Sequence, residues 1–116
     1  MKAFRLLMAI AVALCFSPSV ALAEDITGDK TIGAGTTEND QQTIKTNDGI
    51  TLTNNGTIDY NNNSAITISG DRSGITIINN AGATITNTSG TDKKYVIKAQ
   101  EKTSGPTITN SGTIEA

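Results

Sequence analysis

The stretch GITLTNNGTIDY, residues 49–60, decides the fold, because the chain repeats it almost unchanged as GPTITNSGTIEA at residues 105–116. A looser copy, ITIINNAGATI, lies between them at residues 75–85. The step from Asn54 to Asn79 is 25 residues and the step from Asn79 to Asn110 is 31. Periods of about 20 to 50 residues with short strands are typical of solenoids, in which each copy packs on its predecessor.

Three strand-like segments recur in the same order within each copy. The first segments are residues 43–46, 65–68 and 95–98, the second are 50–54, 75–79 and 106–110, and the third are 56–58, 83–85 and 112–114. The longer second step contains the polar residues 88–94, which we interpret as a loop insertion. The order of segments is therefore kept even though the units differ in length.

Side-chain alternation indicates which positions face the core, since every second residue of a strand points to the same side. One face of the second segments carries two apolar residues and then Asn in all three copies, while the opposite face is Thr except at Ile78. The third segments add one apolar residue each. The predicted core stack is Ile50, Ile75, Leu52, Ile77, Ile108, Ile58, Ile85 and Ile114, with Pro106 at the equivalent position of the last copy.

This pattern predicts an all-β protein, a right-handed parallel β-helix of about three short coils. Coils stack at about 4.8 Å, so that like side chains lie on like. Asn54, Asn79 and Asn110 are expected to form a structural ladder of amides at one corner. The Gly that follows the Asn is expected to permit the backbone angles of that corner.

Two structural alternatives remain open at this stage. An antiparallel all-β fold is one, because Asn55 and Gly56 suit a type I′ hairpin turn. Residues 57–58 are, however, short for a hairpin arm. An amyloid-like, self-stacking subunit is the other, although its units would be expected to keep one constant length.

The first 23 residues have the composition of a secretory signal peptide. Lys2 and Arg5 precede an apolar run at residues 6–16, and small residues at positions 21 and 23 favour cleavage before Glu24. The run is shorter than the roughly 20 residues that a transmembrane helix needs. We therefore divide the chain into a signal peptide (1–23), a polar N-terminal segment or cap (24–42) and an incomplete set of β-helix repeats (43–116).

The part after residue 23 contains 19 Thr, 14 Ile and 11 Asn, and it lacks Cys, His, Trp and Phe. The β-branched residues favour strands, and Asn favours turns. Seven basic and eleven acidic residues give this part a formal charge of −4, with no basic patch of the kind that binds nucleic acid. We expect no nucleic-acid partner.

The copies ITLTNNGTI, ITIINNAGATI and TITNSGTI resemble the passenger repeats of Gram-negative autotransporters. The resemblance covers residues 43–116 and the signal peptide. It implies export by the Sec machinery and a β-helical passenger carried to the cell surface by a β-barrel translocator in the outer membrane. No barrel segment follows Ala116, so the chain is similar to the first portion of a passenger.

Few motifs in the sequence suggest a catalytic or metal-binding site. Residues 70–74, GDRSG, resemble the surroundings of a serine-protease nucleophile, but without His no Ser-His-Asp arrangement forms. The carboxylate pairs Asp25 with Asp29 and Glu38 with Asp40 are interpreted as solvated turns. Residues 47–49, Asn-Asp-Gly, offer too few ligands for calcium.

The remaining candidates are aromatic and basic. Tyr95 shares strand parity with Ile97, so we expect it in the core. The lysines at positions 93, 94, 98 and 102 are expected to form a solvated loop.

We accordingly expect no catalytic, cofactor-binding or metal-binding residue, no cofactor and no enzymatic activity. The favoured hypothesis is a non-catalytic, exported structural stem with a possible adhesive role. Full-length, it would lie at the cell surface or outer membrane; standing alone, it would be periplasmic or extracellular. The alternatives are a fragment of a secreted β-helical enzyme acting on polysaccharide, which needs grouped acids on consecutive coils, and a self-stacking fibre subunit.

Overall fold

The computed structural model describes residues 23–88, 95–100 and 102–116, and within them the chain is all-β. The predicted signal peptide, apart from Ala23, lies outside the described residues, as do Lys93, Lys94 and most of the predicted insertion at 88–94. The described strands are β1 (Ala23–Asp25), β2 (Lys30–Ile32), β3 (Thr37–Glu38), β4 (Gln41–Ile44), β5 (Thr51–Asn54), β6 (Thr57–Tyr60), β7 (Ile66–Ile68), β8 (Thr76–Asn79), β9 (Thr84–Asn87), β10 (Ile97–Ala99), β11 (Thr107–Asn110) and β12 (Thr113–Glu115).

The strands form three parallel sheets of four strands each. Sheet 1 has the order β1-β4-β7-β10, sheet 2 the order β2-β5-β8-β11 and sheet 3 the order β3-β6-β9-β12. Each successive group of three strands contributes one strand to each sheet, and we call these groups coils 1 to 4. Every described pairing is parallel, which confirms the parallel β-helix and excludes the antiparallel alternative.

Like residues lie on like through most of the stack. In sheet 2, Leu52 pairs with Ile77 and Ile77 with Ile108. In sheet 3, Ile58 pairs with Ile85 and Ile85 with Ile114. The strands β5, β6, β8 and β9 alternate half-buried and buried residues, as one core-facing side requires. The apolar interior of coils 2 and 3 is therefore one continuous column of packed side chains.

The stack contains four coils where the repeat predicts three. Residues 24–42, predicted to be a polar segment or cap, hold β2, β3, most of β1 and the first two residues of β4. Coil 1 thus continues the three sheets at the N-terminal end.

Sheet 1 differs from the predicted alignment of the first segments. Gln42 pairs with Ile66, and Ile66 pairs with Ile97, so the strands start later than the predicted segments in coils 3 and 4. The prediction that Tyr95 belongs to the core is wrong, since its side chain is 55% exposed. Tyr95 precedes β10, so the alternation that governs β10 does not reach it, and the Lys98 ammonium lies over its ring at 5.7 Å.

Corner length between sheets 2 and 3 alternates from coil to coil. Four residues, 33–36 and 80–83, join the two sheets in coils 1 and 3, and the φ of Gly35 and Gly82 is positive. Two residues, 55–56 and 111–112, suffice in coils 2 and 4. The prediction that the Gly after Asn supplies special backbone angles is wrong for these short corners, because the positive-φ glycines lie elsewhere.

Gly56 is needed for space. A Cβ atom at this position would lie 2.3 Å from the carbonyl oxygen of Thr36 and 2.4 Å from that of Gly33, both in the long corner below. A Cβ at Gly112 would meet the carbonyl oxygens of Ala83 and Asn80 at 2.3 and 2.5 Å. Each short corner therefore rests directly on the backbone of a long one.

We expect Gly56→Ala to lower the free energy of unfolding by about 3 kcal/mol, because backbone carbonyls cannot move aside as a side chain can. Chemical denaturation monitored by far-UV circular dichroism measures this change. Gly28→Ala is the matched control, since a Cβ there meets nothing within 4 Å, and it should change stability by about 0.5 kcal/mol or less. Equal stabilities of the two variants would contradict this account of the corner.

Candidate functional site

The first polar feature of the stack is a column of amides at the end of sheet 2 strands β5, β8 and β11. Asn54 and Asn79 are fully buried, and Asn110 continues the same register in coil 4. The Asn54 Nδ2 donates to the Asn79 Oδ1 at 2.9 Å, and the Asn79 Nδ2 donates to the Asn110 Oδ1 at 2.9 Å. The structure thus brings the three predicted ladder residues together in a single hydrogen-bonded column.

The same amides fasten the corner between sheets 2 and 3. The Asn54 Nδ2 also donates to the carbonyl oxygen of Thr84, and the Asn79 Nδ2 donates to that of Thr113 at 3.0 Å. In the short corners the amide oxygen accepts from the backbone of the following Gly, as Gly56 donates to Asn54 Oδ1 at 3.1 Å. Buried polar groups are stable only when paired in this way. The column therefore holds the coils in register and serves a structural purpose.

The predicted core stack is complete in coils 2 and 3 and opens in coil 4. Ile77 and Leu52 are fully buried, whereas Ile108 is 46% exposed and Ile114 is half-buried. Ile108 keeps its place in the column, but the described structure has no coil above it. The prediction places Ile108 correctly in line with Ile77. It is wrong about the burial of Ile108, whose side chain is exposed.

A charged cluster at the N-terminal end is the second polar feature, which we call the ion-pair plug: Glu24, Lys30 and Glu38. Lys30 occupies the column of Leu52, Glu38 the column of Ile58, and Glu24 the column of Gln42. The Lys30 Nζ lies 2.7 Å from Glu24 Oε2 and 3.7 Å from Glu38 Oε1.

Lys30 Nζ also donates to the buried Gln42 Oε1 at 2.7 Å. The plug therefore covers the apolar interior with charges that contact one another and water.

Three acidic side chains cluster at this end, and two of them belong to the plug. Carboxylate oxygens of Glu24, Glu38 and Asp40 lie within 4.8 Å of one another, a grouping with the spacing of a metal site. The ammonium of Lys30 contacts two of the three carboxylates, so an internal cation offsets part of their negative charge. Sequence reasoning paired Glu38 with Asp40 but did not include Glu24 or Lys30. The register of KTI with LTN could have revealed Lys30, whereas Glu24 lies in sheet 1 opposite Gln42 and has no such signal.

Three further carboxylates each accept a hydrogen bond from the next coil, and they lie apart from one another. Asp29 Oδ1 accepts from the Thr51 backbone at 2.8 Å, and Asp25 Oδ2 accepts from the Thr46 hydroxyl at 2.9 Å. Asp48 lies 3.5 Å from the Arg72 guanidinium and accepts from the Ser73 backbone. Neither the Asp25 and Asp29 pair nor residues 47–49 forms a ligand cluster among the described residues.

GDRSG, residues 70–74, lies in the turns between sheets 1 and 2. The Arg72 Nη1 donates to the carbonyl oxygen of Thr46 in coil 2 at 2.6 Å, and the Arg72 carbonyl accepts from Ser104 in coil 4 at 2.9 Å. Arg72 therefore ties three coils together. This structural use supports the interpretation of the motif as a turn.

Two shallow depressions lie on the surface of the described coils. One, of about 250 Å³, follows the outer face of sheet 1 and is lined mainly by hydroxyl and amide side chains. The Gln41 Nε2 there donates to Thr67 Oγ1 at 3.1 Å, and the buried Thr43 hydroxyl has no partner among the described residues. The other lies beside Lys98 and Lys102. The first has the polar lining of an ordinary sheet surface, whereas the exposed lining of the second is mainly apolar.

Comparison with known protein families, with curated proteins and with solved structures found no match. The described residues contain no helix long and apolar enough to cross a bilayer. The class of this chain is therefore defined by its fold alone: three parallel sheets wound as a short β-helix.

Proposed function

We propose that this chain is a non-catalytic structural stem of an exported protein. The proposal rests on the side chains that fill the inward-facing positions. These are stacked Ile and Leu residues, a ladder of amides and the ion-pair plug at the N-terminal end. Such a stack of parallel coils would hold whatever is attached to it at a fixed distance. Its outer face, largely Thr on sheet 2, is compatible with display in water.

Export is the second part of the proposal. A signal peptidase cut before Glu24 would remove only Ala23 from β1 and would leave all three plug residues in place. We propose the Sec machinery as the export partner and a β-barrel translocator of the outer membrane as the partner in display. The location is the cell surface when a translocator is joined to the chain, and the periplasm or the medium when it is not. Adhesion is a possible use of the displayed surface.

Expression in a Gram-negative host with a C-terminal epitope tag tests the export step. The expected product is an exported protein whose mass corresponds to a start at Glu24. Ala23→Arg is the matched control, because it leaves Glu24 in place and alters the cleavage position that favours small residues. A cytoplasmic protein that keeps residues 1–23 would contradict the proposal.

A polysaccharide-acting enzyme is the second candidate. The observation that favours it is the cluster of three carboxylates at the N-terminal end. Glycoside hydrolysis uses two carboxyl groups on either side of the scissile bond, and Glu24, Glu38 and Asp40 lie within 4.8 Å of one another. Release of reducing ends from acidic and neutral polysaccharides, lost in Glu38→Gln, would favour this candidate. The stem proposal expects no release by either protein.

A further inference from the structure

The depression on the outer face of sheet 1 is lined by ordinary side-chain types but has two unusual features. It measures about 250 Å³, and of its nine described lining residues seven have hydroxyl or amide side chains, one is Ala23 and one is Lys98. The first feature is a buried hydroxyl without a partner, and the second is a cation without a counter-ion. Both lie on the side of the stack, where an additional coil at either end would lengthen the face without covering it.

Thr43 supplies the buried hydroxyl. Its side chain is 8% exposed, and its Oγ1 has no hydrogen-bond partner among the described residues. The equivalent hydroxyl of the next strand is paired, because Thr67 Oγ1 accepts from the Gln41 Nε2 at 3.1 Å. A buried polar group without a partner is unfavourable. A ligand atom that pairs with the Thr43 hydroxyl would remove this cost.

The Gln41 side chain borders the Thr43 hydroxyl. Gln41 lies two residues before Thr43 on the same face of β4, and its amide reaches Thr67, which is directly opposite Thr43 in β7. The same Nε2 also donates to the carbonyl oxygen of Ser64 at 2.7 Å. Rotation of the Gln41 side chain would open the Thr43 hydroxyl and would exchange the bond to Thr67 for one to a ligand. Side-chain changes of this kind are common at binding sites.

Lys98 supplies the cation. The strand pairings place Thr43, Thr67 and Lys98 in one column on the outer face of sheet 1. No carboxylate of the described residues forms an ion pair with Lys98. Asp25 continues the column on the other side of Thr43, but its carboxylate accepts from the Thr46 hydroxyl and does not line the depression. The charge in the described lining is therefore positive only.

We propose that this depression binds a sugar acid, which is a saccharide unit with a carboxylate, as part of an acidic glycan. Hydroxyl and amide side chains both donate and accept, as the hydroxyls of a sugar do, and Lys98 pairs with the single negative charge. Thr43 and Lys98 lie two strands apart, about 10 Å by the strand spacing, a distance that one sugar ring and the long Lys98 side chain cover together. Because the depression is shallow and open along the side of the stack, the unit can belong to a longer glycan.

Other ligand classes fit the depression less well. A nucleic acid requires several cations along its backbone, whereas the described lining contains one. A peptide that adds a strand requires a sheet edge, whereas the depression lies on a sheet face. None of Glu24, Glu38 and Asp40 lines the depression, so binding here is separate from the enzyme candidate.

The inference deepens the adhesive use in the proposed function by giving it a ligand class. Binding is measured with the purified chain, whereas export is measured in cells. Failure of the binding experiment therefore leaves the exported stem standing, and failure of export leaves the binding site standing.

Titration of the purified chain with methyl glucuronide, followed by two-dimensional amide NMR spectra, tests the site. The anomeric carbon of this probe is blocked as it is in a glycan. We expect saturable shifts of the backbone signals of Thr43 and Thr67 and of the side-chain NH₂ signal of Gln41. Methyl glucoside, which has a hydroxymethyl group in place of the carboxylate, is the matched control and should bind at least about tenfold more weakly. Sulfate is the control for charge alone. No shift with methyl glucuronide, equal affinity for the glucoside, or the same shifts with sulfate would overturn the proposal.

Two variants separate the cation from the hydroxyl. Lys98→Gln should keep its circular dichroism spectrum and should bind the glucuronide as weakly as the glucoside. Thr43→Val keeps the shape of the side chain without the hydroxyl, and it should weaken glucuronide binding about fivefold. Its denaturation midpoint should equal or exceed that of the unaltered chain, because a buried hydroxyl without a partner is lost. Thr67→Val is the control for stability and should lower the midpoint, since it removes the acceptor of the Gln41 amide. A Lys98→Gln chain that still prefers the glucuronide, or a Thr43→Val chain that binds it normally, would overturn the assignment of these residues to the site.

Discussion

Ile77→Asp is expected to unfold the entire stack. Ile77 is fully buried between Leu52 and Ile108 in the central column of sheet 2. An aspartate there loses the apolar contacts of an Ile side chain and places a carboxylate where no described cation can reach it. The combined cost is about 5 kcal/mol or more, which is comparable to the whole stability of a domain of this size. Far-UV circular dichroism and thermal melting should show loss of strand signal and of a cooperative transition.

Ile78→Asp is the matched control, because it introduces the same carboxylate one residue further along β8. Ile78 is half-buried on the outer face, between Thr53 and Thr109 of the adjacent strands. We expect a change of about 1 kcal/mol or less, set by strand propensity. A normal melting transition of Ile77→Asp, or equal loss in both variants, would contradict the assignment of inner and outer faces.

The parts of the fold that the sequence predicted are those where successive copies are nearly identical. Asn54, Asn79 and Asn110 stand at the same place in three similar strands, and the apolar residues before them keep the same parity. A stack requires this repetition, since each side chain contacts its own equivalent in the next coil. Parallel pairing and the composition of the columns could therefore be predicted without coordinates.

Coil 1 escaped prediction for a physical reason. The apolar alternation that identifies a strand is interrupted where Glu24, Lys30 and Glu38 take inward positions, even though the neighbouring Ile26 and Ile32 are buried. Charges are suitable there because the end of the stack faces water on one side. A search of the sequence for apolar periodicity therefore misses coil 1, because charged residues at its inward positions interrupt the pattern.

The positions of the short corners could be predicted from the sequence, but the reason why they need glycine could not. Gly56 follows Asn55 in a typical turn sequence, which suggests a requirement for backbone angles. Its actual constraint is the carbonyl oxygen of Thr36, which lies on the preceding coil and is 20 residues away in the sequence. Contacts of this kind depend on how a short corner sits on a long one. They become visible only once the register of the coils is known.

Asn79→Asp is expected to have the second largest effect, although it changes only the terminal NH₂ of a buried side chain to oxygen. The Asn79 Nδ2 donates to the Asn110 Oδ1 at 2.9 Å and to the carbonyl oxygens of Thr113 and Ala83 at 3.0 and 3.3 Å. A carboxylate would direct a negative oxygen at these three acceptors. We expect a loss of about 3–5 kcal/mol, the usual range for an uncompensated buried charge, measured by chemical denaturation at neutral pH.

Asn80→Asp is the matched control, since Asn80 is the exposed neighbour and donates to Asn55 Oδ1 at the surface. Its loss should be about 1 kcal/mol or less. Burial raises the pKa of the carboxyl introduced at position 79 above its ordinary value of about 3.9. The extra destabilisation should therefore be smallest below pH 4, where this carboxyl is protonated in both states, and should grow as pH rises to the folded-state pKa. A pH-independent difference between the two variants would show that the Asn79 amide is not the donor that holds the ladder together.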